Sequence, residues 1–169
     1  MNHSLSYFLR NKPLVLPATT GLQDAALAMR RRKVGSIVVT DDSGQVLGMA
    51  TDRDLVCKGL ANSLSRKTTL LDVMSTNVVA VEEESNILTV ADAMESRGVR
   101  RVPIINAEGR CVGVITLDDL IVAQLIPVET LVRIVRSQVL TKSANQPSHL
   151  PGRSENVEVF MTYQSSVGV

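Results

Sequence analysis

The chain has 169 residues, 44% of them apolar and 21% charged, the proportions of a globular protein and not of a disordered one. Eighteen basic against seventeen acidic residues leave a net charge of +1, which gives no electrostatic reason to expect nucleic acid or an anionic membrane as partner. All four aromatics, Tyr7, Phe8, Phe160 and Tyr163, lie in the terminal segments, which excludes a base-stacking platform on central strands.

Taken in chain order, the start lacks the apolar core of a secretory signal, and no apolar run approaches the ~18–20 residues of a membrane span. A soluble, cytoplasmic protein is expected. A short apolar run at 14–16 predicts a strand. Leu22, Ala25, Ala26 and Met29 then fall at i, i+3, i+4 and i+7, the spacing of a one-faced helix. Thr20, with Gln23 three residues on, reads as its capping box. Arg30, Arg31, Arg32 and Lys33 place cations in its last turn, where they complement the helix dipole. Runs at 36–40 and 46–50 predict two strands joined by the Asp41-Asp42-Ser43-Gly44 turn, and a second helix starts near Asp52.

The order then recurs. A strand at 78–81 precedes Glu82, Glu83 and Glu84. Ser85 holds the position of Thr20, and Ile87, Val90, Ala91 and Met94 repeat the one-faced helix. Strands at 101–105 and 111–115 flank the turn Asn106-Ala107-Glu108-Gly109, and another helix follows from about Leu117. Pro103 within a strand predicts an edge or a bulge there. Pro127 opens a last helix with Val128, Leu131, Val132, Val135 and Val139 on a broad face. Residues 141–156 are polar and rich in breakers, a linker by composition, and 157–163 alternate like a strand. Cys57 and Cys111 form no disulfide framework and read as small buried apolar side chains.

Sliding the chain on itself exposes one register, an offset of 65, with no gap: Gly44, Gly48, Thr51, Asp54 and Leu55 fall on Gly109, Gly113, Thr116, Asp119 and Leu120. The fold class is therefore α+β, two tandem β-α-β-β-α repeats packed as a pseudo-twofold pair, with a C-terminal helix and a tail. The expected divisions are repeat 1 at 8–62, repeat 2 at 73–127, the helix at 128–140, and linker and tail at 141–169. One repeat of about 55 residues is marginal alone, so the two should share a core.

The duplicated G-x-x-T-x-x-D signatures, Gly48 to Asp54 and Gly113 to Asp119, resemble the CBS-domain pair, or Bateman module, as do Asp72-Val73-Met74 and Val102-Pro103-Ile104-Ile105. The match runs over residues 8–127, and the chain looks like a small stand-alone bacterial member. The resemblance implies a regulatory sensor that binds an adenosine-bearing ligand (AMP, ADP, ATP, NAD or S-adenosylmethionine) between the repeats. It assigns ribose binding to Asp54 and Asp119, with Thr51 and Thr116 beside the phosphate or ribose. On spacing alone, Thr with an acid three residues later is a helix start, and that reading stands beside the functional one.

Arg100 and Arg101 occupy a place where the family often sets phosphate-binding basic residues; copy one has Gly35 and Ser36 there, so the clefts should differ. Their alternative is an ordinary solvated surface. Thr20 and Ser85 match adenosine-contacting positions and compete with their reading as helix caps. Which aspartate shares a cleft with the arginines depends on packing. His3 and His149 are isolated, and no nucleophile–base pair, metal cluster or phosphate loop is found, so no catalytic or metal residue and no cofactor beyond the regulatory nucleotide is expected. A homodimer is expected from apolar residues on more than one side of the second helices, together with an effector protein of unknown identity. The competing reading is a ligand-free dimerisation scaffold.

Overall fold

A computed structural model describes residues 4–10, 12–61, 68–144 and 158–159. A 3-10 helix, Leu5–Arg10, opens the chain. The first repeat follows as β1 (Val15–Pro17), α1 (Leu22–Arg32), β2 (Ser36–Thr40), β3 (Val46–Thr51) and α2 (Asp52–Asp54), which runs on as a π-helix, Leu55–Leu60. A short α3 (Leu70–Val73) leads to the second repeat, β4 (Val79–Glu82), α4 (Ile87–Arg97), β5 (Arg101–Ile105), β6 (Cys111–Thr116) and α5 (Leu117–Ala123). Helix α6 (Val128–Ala144) and β7 (Glu158–Val159) complete the described chain. The α+β pair of repeats expected from the sequence is the observed architecture.

In each sheet the central strand pairs parallel with the first strand of its repeat and antiparallel with the last, giving orders β1-β2-β3 and β6-β5-β4-β7. Gly44 and Gly109 end the two hairpin turns at φ of 85° and 74°, conformations that glycine adopts without a Cβ penalty. Asp41 and Asn106 close those turns by accepting backbone N–H bonds onto their Oδ1 atoms.

Each repeat core is finished by a segment from the opposite half. Leu70 and Val73 of α3 are buried with Ala25, Met29, Ile37, Val39 and Ala50 of the first repeat. Leu5, with Phe8 and Leu9 against it, packs into the second repeat among Met94, Val102, Ile104 and Ile115. These segments are themselves 65 residues apart, Leu5 on Leu70 and Leu9 on Met74. A Cβ on Gly48 would lie 2.6 Å from the Ser75 carbonyl and 2.9 Å from Met74 Sδ, and one on Gly113 would strike Leu9 Cδ2. The glycines let the exchanged segments lie directly on the sheets. A third cluster, Val38, Val46 and Met49 with Val78, Ala80 and Ile105, seals one repeat against the other. Paired bonds between Met49 and Ser75 (2.8 and 3.0 Å) add a backbone link.

Several expectations are corrected. Helix α1 is capped at Gly21 and α4 at Asn86, not at Thr20 and Ser85; the Asn86 carboxamide accepts from Leu88 N and Thr89 N, the better cap being one residue later. Pro103 sits in β5, an interior strand, one residue before a register shift at Ile104/Ile105. Val38, its counterpart, donates to the Leu14 carbonyl, a bond Pro103 cannot make, and β4 pairs with β5 only from Ile104 onward. Cys57 is exposed on the π-helix, and only Cys111 is half-buried; burial pushes its thiol up to about 11. Helix α6 runs to Ala144, four residues into the expected linker, because no Gly or Pro interrupts it before Pro147. Of the tail, Glu158 and Val159 pair parallel with Val79 and Ala80 of β4, across the sheet from β6, on which the N-terminal helix bearing Tyr7 and Phe8 packs. Phe160, Tyr163, His3 and His149 lie outside the described residues.

Candidate functional site: two Thr-x-x-Asp boxes

In both repeats the last β-strand delivers a threonine at its C-terminal end, and the chain turns there into a helix. Thr51 and Thr116 are the N-caps of α2 and α5, in extended backbone, each accepting from the N–H of the aspartate three residues on. The aspartate answers: Asp54 Oδ2 accepts from Thr51 N (2.9 Å) and Oγ1 (2.6 Å). Asp119 Oδ2 accepts from Thr116 N (2.7 Å) and Oγ1 (2.6 Å). The helix-start reading of these residues is therefore what the structure shows. The capping box uses one carboxylate oxygen and orients the whole group at a helix start.

The other oxygen is where the repeats part. Asp54 Oδ1 lies 2.8 Å from Lys58 Nζ, and the Asp54 side chain is only 17% exposed. Burial opposes its ionisation, but hydrogen bonds from Lys58 and Thr51 outweigh that and hold its carboxyl below the usual carboxylate range. Asp119 is exposed, and its Oδ1 has no protein partner among the described residues. Lys58 was missed in the sequence, although its i+4 spacing from Asp54 is a readable signal.

Packing also separates the two arginines. The Arg100 carbonyl accepts from Leu117 N (2.9 Å), and its guanidinium stands 3.8 Å from Asp118, an exposed pair beside the Asp119 box. Arg101 reaches across to the first repeat: a Cβ on Gly35 would lie 3.4 Å from Arg101 Nη2 and 3.5 Å from Asp52 Oδ2. The guanidinium thus stands in van der Waals reach of the Gly35 position, beside the Asp54 box. So each box has one arginine at its rim.

Thr20 and Ser85 lie elsewhere. Strand β2 runs from Ser36, beside Thr51, to Thr40, beside Pro17, and Thr20 follows that far end. Ser85 likewise follows the Glu82–Ile105 end of its sheet, away from Thr116 beside Arg101. At a rise of about 3.3 Å per residue, roughly 13 Å of strand separates each from the box of its own repeat. No group of three or more metal-ligating side chains occurs among the described residues, and none of their helices is long and apolar enough to cross a membrane.

The family model for the CBS domain matches residues 6–58 and 70–126, and the chain belongs to that family. Hypoxic response protein 1 of Mycobacterium tuberculosis is 35% identical over 117 residues, 69% of this chain and 80% of its own. The uncharacterized protein YlbB of Bacillus subtilis is 37% identical over 98 residues, 57% of this chain. The chain spans 66% of YlbB, and 54% of the uncharacterized protein MK0525 of Methanopyrus kandleri, to which it is 30% identical. Among solved structures, a conserved CBS domain protein of Thermoplasma acidophilum superposes with a TM-score of 0.70 at 21% identity, over 82% of this chain and 78% of that one. The CBS domain pair of protein MJ0100, solved in complex with 5′-methylthioadenosine and S-adenosyl-L-methionine, gives 0.65 at 22% identity, over 73% and 97% of the two chains. At those identities the likeness establishes the fold.

Proposed function

We propose that this chain is a regulatory module, not an enzyme, that binds an adenosine nucleotide (AMP, ADP, ATP or NAD) and passes the resulting change in repeat packing to another protein. The observation that carries this reading is the Asp119 carboxylate: one oxygen is fixed by Thr116 at a helix start and the other is open, exposed and ready to accept from vicinal ribose hydroxyls. Thr116 and Thr51 orient the carboxylates, Asp119 and Asp54 hold ribose, and Arg100 and Arg101 at the rims suit phosphate geometry. Thr20 and Ser85 enter this site only for a ligand long enough to cross the sheet. The complex of the MJ0100 pair with two adenosine compounds supports the ligand class.

A ligand held between repeats favours one relative packing over another, and that difference is the signal available to an effector. The second reading, a dimerisation scaffold with empty clefts, is favoured by one observation: Asp54 has both oxygens engaged within the chain. Calorimetric titration and thermal shift with AMP, ADP, ATP and NAD separate the two. Binding by the wild type, its weakening in Asp119→Ala, and its loss in the Asp54→Ala/Asp119→Ala double variant are expected. A folded double variant that still binds rejects the site.

A further inference from the structure

The two boxes match in sequence but not in what surrounds them. Besides Asp54 Oδ1, the Lys58 ammonium donates to the Val73 carbonyl (2.9 Å) and the Ser75 hydroxyl (3.3 Å). Val73 ends α3, and Ser75 makes the two backbone bonds to Met49 that join the repeats just before β4. One cation thus ties the Asp54 box to the connector that enters the second repeat. Sixty-five residues on, the counterpart of Lys58 is Ala123, which has no charge to offer.

We propose that Lys58 is a latch that makes the two boxes unequal: Asp119 takes a ribose directly, whereas the Asp54 box takes one only when Lys58 lets go of it. The inference rests on the reading of the boxes as ribose sites. A ribose hydroxyl approaching Asp54 Oδ1 must replace an ammonium at ion-pair distance, exchanging a bond in which both partners are charged for one in which only the carboxylate is. The Asp119 box has no such competitor. When Lys58 leaves Asp54, its bonds to Val73 and Ser75 are strained or lost too, so occupancy of this box is felt in the connector. The coupling is reciprocal: loosening the connector makes the box easier to fill.

The test uses the full chain, with AMP as the titrant and hydrogen exchange at the Met49 and Ser75 amides as a ligand-free readout. Lys58→Met keeps the apolar stem and removes the donor. The wild type should bind one AMP per chain, weakened about tenfold or more by Asp119→Asn. Lys58→Met should add a second binding event, which Asp54→Asn in that background removes, and should speed exchange at the Ser75 amide several-fold. Titration of Lys58→Met indistinguishable from wild type, with Ser75 exchange unchanged, overturns the latch. If AMP, ADP, ATP and NAD all fail to bind either protein, the ribose reading falls and the inequality of sites with it. Exchange at Ser75 then still decides whether Lys58 secures the connector.

Discussion

A threonine and an aspartate three residues apart satisfy the demands of a helix start and leave chemistry to spare. The box consumes one carboxylate oxygen, and what meets the other decides whether the carboxylate is fully engaged within the chain or left open. For Asp54 the answer has a pH signature. Its folded-state carboxyl is held below the ordinary value of 3.8, so the resulting stability is present above that value and is lost as pH falls through the depressed one. Asp54→Asn should therefore lower the urea midpoint at about pH 7 and lose that difference progressively in acid below 3.8. A difference between the two proteins that is constant with pH would show that the carboxylate charge contributes nothing.

The elements were legible because their periodicities are strong. Ile87, Val90, Ala91 and Met94 are all buried on α4, as a one-faced helix requires, and the paired hairpins follow from β-branched runs and positive-φ glycines. Boundaries were less legible: Thr20 against Gly21, and Ser85 against Asn86, are choices between neighbouring caps made by the geometry of chain entry. The tail strand belongs to this scale too. Removing the chain after Ala144 uncovers the β4 edge at Val79 and Ala80 and deletes its parallel pairing. That truncation should lower stability by roughly 1–2 kcal/mol and raise light scattering on heating, since an unpaired edge templates association. Unchanged melting and scattering would mean that the pairing contributes nothing.

At the scale of the whole molecule exposed apolar residues lie along α6, at Val128, Val132, Val135, Val139 and Leu140, and on the second helices. Leu60 is 77% and Val122 79% exposed, with Val56 and Ile121 near them in sequence and also open. The local sheets do not cover these side chains, so a second copy of the chain is the expected cover. Light scattering at micromolar concentration should give twice the 18.3 kDa chain mass, and Val122→Glu should shift it toward the monomer. A monomeric wild type would remove the proposed dimer.

The sequence by itself determined the duplication, the two α+β units and both Thr-x-x-Asp boxes, because these rest on local period, turn chemistry and a gapless self-match. It also determined that the two copies differ, through Arg100 and Arg101 where Gly35 and Ser36 stand. Only the tertiary structure decided the rest. That Leu5 completes the second core and Leu70 the first, that Arg101 stands beside the first box and Arg100 beside the second, and that Lys58 reaches Val73 and Ser75 are all contacts between segments apart in sequence. Such contacts are set by which apolar faces bury one another across the pseudo-twofold, and neither period nor propensity carries that information.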